Sequence, residues 1–310
     1  MSSSQAEFRT GLIFGLIAYL SWGLVPLFFA QLRDVAAGEL LAHRILWSLC
    51  IMMVVTAIRT GGFSELWRAL ANRQLIIALT ISAFFLAINW LLYIYATLTD
   101  RVTDASLGYY AMPLANAFFA RIFLGEQLRP AHYPALLLIA VGLVVASVML
   151  GTFPWLAVAL PITFGFYALM RKKTHVDSMT GLMVETLVLL LPSISFLIYL
   201  AVMGQSSFGP DPRKNFWLIF SGVMTVVPLL SFALSIRRLP FLTQSFIQFL
   251  SPTVQMTLAI FVLGEEPIAA KLVAMFCVWV AVGIFIADAV YAARERRRVL
   301  SNMEELEAVV

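Results

Sequence analysis

The sequence predicts an all-α integral membrane protein, built as ten transmembrane helices in two inverted five-helix repeats with both termini cytoplasmic. Three observations predict it. Hydrophobic residues make up 61% of the 310 and charged residues 12%, about half the charged share of a globular chain. The apolar runs between charges are long enough to cross a bilayer. One polar-punctuated segment also recurs 139 residues later, five helices on.

Composition removes several classes. Disorder needs low hydrophobicity and high charge. A membrane β-barrel needs strands of about ten residues alternating polar and apolar, and the runs here are continuous. Cys50 and Cys277 both fall inside apolar runs and read as core packing, without a disulfide framework. The formal charge of +4 sits in loops and a basic C-terminal patch. It therefore concerns membrane orientation rather than nucleic acid.

Charges mark the span boundaries. Uncharged stretches of 23, 26, 25, 22 and 26 residues lie between Arg9 and Arg33, Arg73 and Asp100, Glu185 and Asp211, Lys214 and Arg237, and Arg238 and Glu265. The 41 residues between Arg129 and Arg171 exceed one span, and Gly151-Thr152-Phe153-Pro154 splits them. Three further spans carry charges within or close to them. The expected helices are 11–31, 38–58, 75–98, 105–125, 131–150, 154–170, 181–203, 215–236, 243–263 and 270–292. The first reads as a retained signal anchor, because Met1-Ser2-Ser3-Ser4 with Glu7 lacks the basic start of a cleaved signal.

With the N-terminus inside, 14 loop cations fall on the cytoplasmic side and 5 outside, while Arg44 and Arg121 lie within spans. That asymmetry, with an even helix count, places both termini in the cytoplasm.

Asp104–Glu126 and Thr243–Glu265 align without a gap. Ser106/Ser245, Pro113/Pro252, Ala120/Ala259, Leu124/Leu263, Gly125/Gly264 and Glu126/Glu265 coincide, and Asn116 faces Gln255. A repeating unit of five helices must re-enter the membrane from the opposite side. The expected organisation is one repeat over 1–150, a second over 151–293, and a basic and acidic tail over 294–310. Inverted repeats are typical of secondary transporters, with the site near the midplane between the halves. Pro113 and Pro252 each remove a backbone hydrogen bond mid-helix, although prolines are common in membrane helices generally.

Ser21-Trp22-Gly23, Ala42-His43-Arg44-Ile45-Leu46-Trp47-Ser48, Asn89-Trp90 with Tyr93-Ile94, and Ala105-Ser106-Leu107-Gly108-Tyr109 through Leu124-Gly125-Glu126 resemble the RarD branch of the EamA family. That family belongs to the drug/metabolite transporter superfamily. Pro228-Leu229-Leu230 and Gln248-Phe249 through Pro252 to Gly264-Glu265 resemble its second half. The resemblance covers essentially the whole chain. It implies a ten-helix permease of the inner or plasma membrane, some members being named for chloramphenicol sensitivity. Ala111-Met112-Pro113 departs from the Ile-Asn-Pro expected there, and Arg121 replaces a small residue.

Intramembrane ionisable residues usually face a cavity or one another. Glu39, His43 and Trp47 recur every four residues on one helix face, with Arg44 adjacent. Arg44 has the planar fork to hold an anionic or carbonyl group, and Glu39 or His43 are candidates to carry a coupling proton. Snorkelling at the outer interface is the competing role. Glu185 falls near His43 by the repeat and is a second proton-coupling candidate, or simply an acid at a helix N-terminus. Gln244, Gln248 and Gln255 form a polar stripe that either joins helices or lines a pathway. Asn89, Trp90, Tyr93, Tyr109 and Asn116, with Trp22 and Trp47, suit an aromatic-walled pocket for a small molecule, core packing being the alternative. Gly11 and Gly15 read as a close helix contact before a dimer motif.

No phosphate loop, metal-binding His-Glu-xx-His or paired-aspartate motif is present, so neither cofactor nor metal is expected. The expected function is a secondary transporter of small organic solutes, proton-coupled or exchanging, its partners a small-molecule substrate and the lipid bilayer. A membrane enzyme on lipid-soluble substrates, or a sensor or assembly subunit, are the alternatives.

Overall fold

The computed structural model describes residues 3–60, 63–98, 102–151, 155–262 and 269–309. Among these, every regular element is a helix: α1 (Ser3–Gly23), α2 (Val25–Phe29), α3 (Ala37–Thr60), α4 (Ser64–Ala71), α5 (Arg73–Leu98), α6 (Val102–Phe123), α7 (His132–Leu150), α8 (Trp155–Lys173), α9 (Ser178–Val202), α10 (Pro212–Ile236), α11 (Phe241–Ile247), α12 (Leu250–Phe261) and α13 (Ala269–Val309). Among the described residues, seven stretches are long and apolar enough to cross a membrane, including Gln5–Phe29, which joins α1 to α2. Helices dominate because hydrocarbon offers no water to the main chain, so each segment must satisfy its own amides. The surface confirms the solvent: Phe261, Ile58 and Leu191 are 80%, 78% and 75% exposed.

Three expectations change. The spans expected at 11–31 and 243–263 are each interrupted, at Leu24 and at Gln248–Phe249. The last helix does not stop near 292 but continues to Val309, so the tail extends the same rod. A short amphipathic helix, α4, fills part of the stretch between the helices expected at 38–58 and 75–98. The second Leu-Gly-Glu, residues 263–265, lies outside the described residues.

Small residues set the packing. In α1, Gly11 and Gly15 lie against Leu239 and Ser235, so α1 runs antiparallel to α10 and this glycine pair is used inside the molecule. α5 runs antiparallel to α8, with Asn89 bonding Leu160 and Thr163 and Phe85 stacked on Phe166 at 4.9 Å. α3 is antiparallel to α9, Gly38 meeting Phe196 and Thr56 meeting Met183. α7 is antiparallel to α13, Gly142 meeting Cys277 and His132 meeting Phe285. α6 lies beside α8, and α1 beside α12, each pair running parallel. Both cysteines are free.

At the start of α10 the Lys214 ammonium bonds Asp34, in the segment between α2 and α3, at 2.6 Å and holds its carboxyl below the usual range. Asp288 is clamped by Arg129 at 3.2 Å and His132 at 3.6 Å. At the end of α6, Gly125 takes φ +65, a left-handed turn that favours glycine. It delivers Glu126, whose Oε1 accepts the Phe241 N–H at the start of α11.

Candidate functional site

Both interrupted helices open onto one cavity, and proline explains each break. A proline lacks an N–H and its ring clashes with the carbonyl four residues earlier. Pro26 frees the carbonyl of Trp22, which instead accepts the side-chain amide of Gln255 at 3.1 Å. Pro252 frees the carbonyl of Gln248, which accepts the Ser251 N–H at 3.1 Å in a tightened turn. Irregular backbone at membrane depth survives only where protein or a cavity satisfies it. Pro113 sits inside an uninterrupted α6.

The cavity holds about 50 Å³, room for a few waters at about 10–15 Å³ each. Its walls are aromatic. The Trp22 ring lies 5.3 Å from Tyr19 and 5.7 Å from Phe164, and Tyr93 meets Tyr109 edge-on at 5.6 Å. Arg44 supplies the charge. It is 6% exposed; its Nε donates to Thr225 Oγ1 at 3.0 Å, and its guanidinium carbon sits 4.4 Å over the Trp90 ring. The terminal nitrogens make no hydrogen bond among the described residues and open into the cavity. Among the described residues, no carboxylate lines that space. Beside it, both amide atoms of the buried Gln248 lack partners.

Of the residues singled out from sequence, Trp22, Arg44, Asn89, Trp90, Tyr93, Tyr109, Gln248 and Gln255 line this cavity. Asn89 spends its amide N–H groups on the Leu160 carbonyl and Thr163 hydroxyl of α8, both at 2.9 Å. The others lie elsewhere. His43 accepts from Trp47 Nε1 at 3.2 Å and packs on Phe208, which follows α9. Glu39 accepts the Ser207 N–H at 2.6 Å and the Ser206 hydroxyl at 3.0 Å, anchoring that same loop. Gln244 accepts from Ser235 at 2.8 Å and reaches Tyr19 OH at 3.4 Å, tying α11 to α10 and α1. Asn116 is buried against Gly165 with its oxygen unpartnered. Glu185 accepts from Ser82 Oγ at 2.6 Å and faces Arg171.

Five cavity residues escaped the sequence reading: Tyr19, Val25, Met112, Phe164 and Ser251. Spacing carried a signal for two. Tyr19 shares a face with Trp22, and Ser251 stands three residues from Gln248. The other three are apolar residues in apolar helices and carry no label. No group of three metal-ligating side chains occurs among the described residues.

An aromatic-walled cavity between apolar helices, with the Arg44 cation in its wall, has the form of a small-molecule site in a membrane protein. The comparisons agree. Residues 9–148 match the EamA-like transporter family. Protein RarD of Escherichia coli is 38% identical over 92% of this chain and 97% of its own. An uncharacterized transporter of Vibrio cholerae is 35% identical over 96% and 99%. The chloramphenicol-sensitive protein RarD of Pseudomonas aeruginosa is 24% identical over 93% and 97%. A solved crystal structure at 17% identity superposes with TM-score 0.67 over 88% of this chain and 96% of its own, showing the shared fold. The protein is a multi-pass membrane transporter of the inner membrane. It belongs to the EamA-like transporter family, within the drug/metabolite transporter superfamily.

Proposed function

We propose that this chain is a secondary transporter that moves small organic solutes by alternating access through the Arg44 cavity. One observation carries the reading: a buried guanidinium, uncompensated by any carboxylate, opens beside an unpartnered Gln248 amide. A cation at the centre of a membrane helix costs about 2.5–3.5 kcal/mol on insertion scales. A solute bearing a carboxylate or carbonyl would complete both groups, and the aromatic walls suit its apolar body.

The reading includes ten spans in two inverted repeats, 1–150 and 151–293, with α1–α2 and α11–α12 each counted once and α4 lying outside the bilayer. Helix packing supports it. Adding five spans to each partner converts the α1–α10 contact into the α8–α5 contact, and α6–α8 into α12–α1. The helices that would be each other's mates, α3 with α9 and α7 with α13, run antiparallel. A twofold axis in the membrane plane demands antiparallel mates, whereas translation would leave them parallel.

Reconstitution into liposomes and counterflow of a metabolite and drug library, chloramphenicol included, tests the function. A solute exchanged by the wild type but not by Arg44→Ala supports it. Solute exchange indifferent to Arg44 and Gln248 would overturn the site.

A further inference from the structure

A second buried charge cluster lies away from the cavity, where α8 ends and α9 begins. Arg171 and Glu185 are 3% and 1% exposed. The guanidinium lies flat on the backbone of α9: its Nη2 donates to the Ser178 carbonyl at 3.0 Å, and a methyl added at Gly181 would overlap Nη1. Glu185 stands one helical turn further on. Its Oε1 accepts the Ser82 hydroxyl of α5 at 2.6 Å and faces Arg171 Nε at 3.8 Å.

The pair is unfinished. A structural Arg–carboxylate pair closes to about 2.7–2.9 Å, often two-pronged. Among the described residues, Arg171 Nε and Nη1, Glu185 Oε2 and the Tyr167 hydroxyl are all buried without a hydrogen-bond partner. Such atoms are costly to maintain in a static core. The other elements around α9 bring no competing charge to Glu185. α3 presents Thr56 to Met183, α10 presents the Ala233 carbonyl to Ser178, and α4 places Glu65 by Thr180, more than a turn away. Arg171 and Tyr167 are therefore the ionisable groups that face it.

The cluster also mirrors the cavity. Glu185 lies seven residues past the start of α9 (178 to 185), and Arg44 seven past the start of α3 (37 to 44). Arg44 is bonded to a hydroxyl of α10, and Glu185 to a hydroxyl of α5.

We propose that Glu185 is the proton-binding site of the transport cycle and Arg171 the partner that turns proton binding into helix movement. The inference rests on the transporter reading above. A metal cation is excluded by the cluster's own chemistry, one carboxylate beside a guanidinium. Proton uptake from water occurs at Oε2, the oxygen no group occupies, and makes or breaks no other covalent bond. It takes the cluster from neutral to a single positive charge. The attraction between α8 and α9 is then removed, and Arg171 retains only its main-chain bond to Ser178.

The test uses full-length protein in liposomes and needs no solute. Infrared difference spectra between alkaline and acid buffer should show a carboxylic-acid band that Glu185→Gln removes and Glu39→Gln keeps. Hydrogen exchange over residues 168–185 should rise on acidification in the wild type. In Glu185→Gln, a permanently neutral form, it should stand at the acid level in both buffers, while Glu185→Asp restores the pH dependence and guards against misfolding. A band that survives Glu185→Gln, or exchange that still responds to pH in that variant, overturns the proposal. Absence of solute exchange by wild-type liposomes would instead sink the transporter reading, leaving proton binding measured independently.

Discussion

The side-chain amide of Gln255 in α12 bonds the main-chain oxygen of Trp22 at 3.1 Å, taking the place of the N–H that Pro26 lacks. A side chain from a distant stretch of chain thus completes one backbone carbonyl. Gln255→Leu should leave the Trp22 carbonyl unpaired and cost about 1–3 kcal/mol. Pro26→Ala restores a main-chain donor, so the double variant should recover much of that loss. A thermal-unfolding cycle of the four proteins in detergent measures the coupling; additive losses would show that the two residues act independently.

Arg44 makes a sharper prediction about chemistry. Lysine keeps the charge but loses the planar fork and its place over Trp90. A hydrogen bond to a charged group contributes about 1.5–3 kcal/mol, and about 1.4 kcal/mol is tenfold. Arg44→Lys should therefore weaken solute binding about ten- to a hundredfold at equal membrane abundance. Wild-type counterflow by the lysine variant would refute the fork as the binding element.

Glu39 should behave as an anchor. A glutamine oxygen can still accept the Ser207 N–H and Ser206 hydroxyl, so Glu39→Gln should transport normally. Glu39→Ala removes the acceptor and should speed protease cleavage of the segment between α9 and α10. Loss of proton-driven transport in Glu39→Gln would reassign it to coupling.

Topology can be read with thiol reagents. In a background lacking Cys50 and Cys277, cysteines at Ser64 and Asn302 should resist an impermeant maleimide in intact cells, and one at Ser207 should react. The opposite pattern would invert the orientation derived from the loop cations.

Asp34 and Lys214 give a pH prediction of the ordinary kind. Because Lys214 lowers the Asp34 carboxyl, whatever the pair contributes is present above the normal carboxylate value. It is lost as pH falls through the lowered one. Asp34 is 64% exposed, so Asp34→Asn should leave the unfolding midpoint nearly unchanged at neutral pH. A large drop would show that the tie between the α2–α3 segment and α10 matters more than its exposure implies.

The helices were legible because hydrocarbon leaves the backbone few options, and charge spacing alone located most of them. The breaks were harder. Pro26 and Pro252 were visible, but whether a proline interrupts a helix depends on what satisfies the freed carbonyl, and α6 runs unbroken through Pro113. The polar stripe of Gln244, Gln248 and Gln255 assumed a continuous helix. The turn at Gln248 leaves Gln244 bonding Ser235 while Gln248 enters the cavity. Arg44 was readable as an expensive charge needing a purpose. Arg171 was not, since at the end of α8 it counted as one more loop cation, and only the packing over Gly181 buries it.

Two prolines 139 residues apart meet different fates, one carried within a continuous rod and the other beside a hinge at Gln248–Phe249. The machine accordingly has one stiff jaw and one jointed jaw. In the proposed alternating-access cycle, opening at α6 would move a lever as a whole, while opening through α11 and α12 would need only a local bend. The two strokes of that cycle would then differ in rate, and solute presented from opposite sides of the membrane would meet different apparent affinities. Directionality in a carrier of the proposed kind would be a property of mechanics as well as of the gradient that drove it.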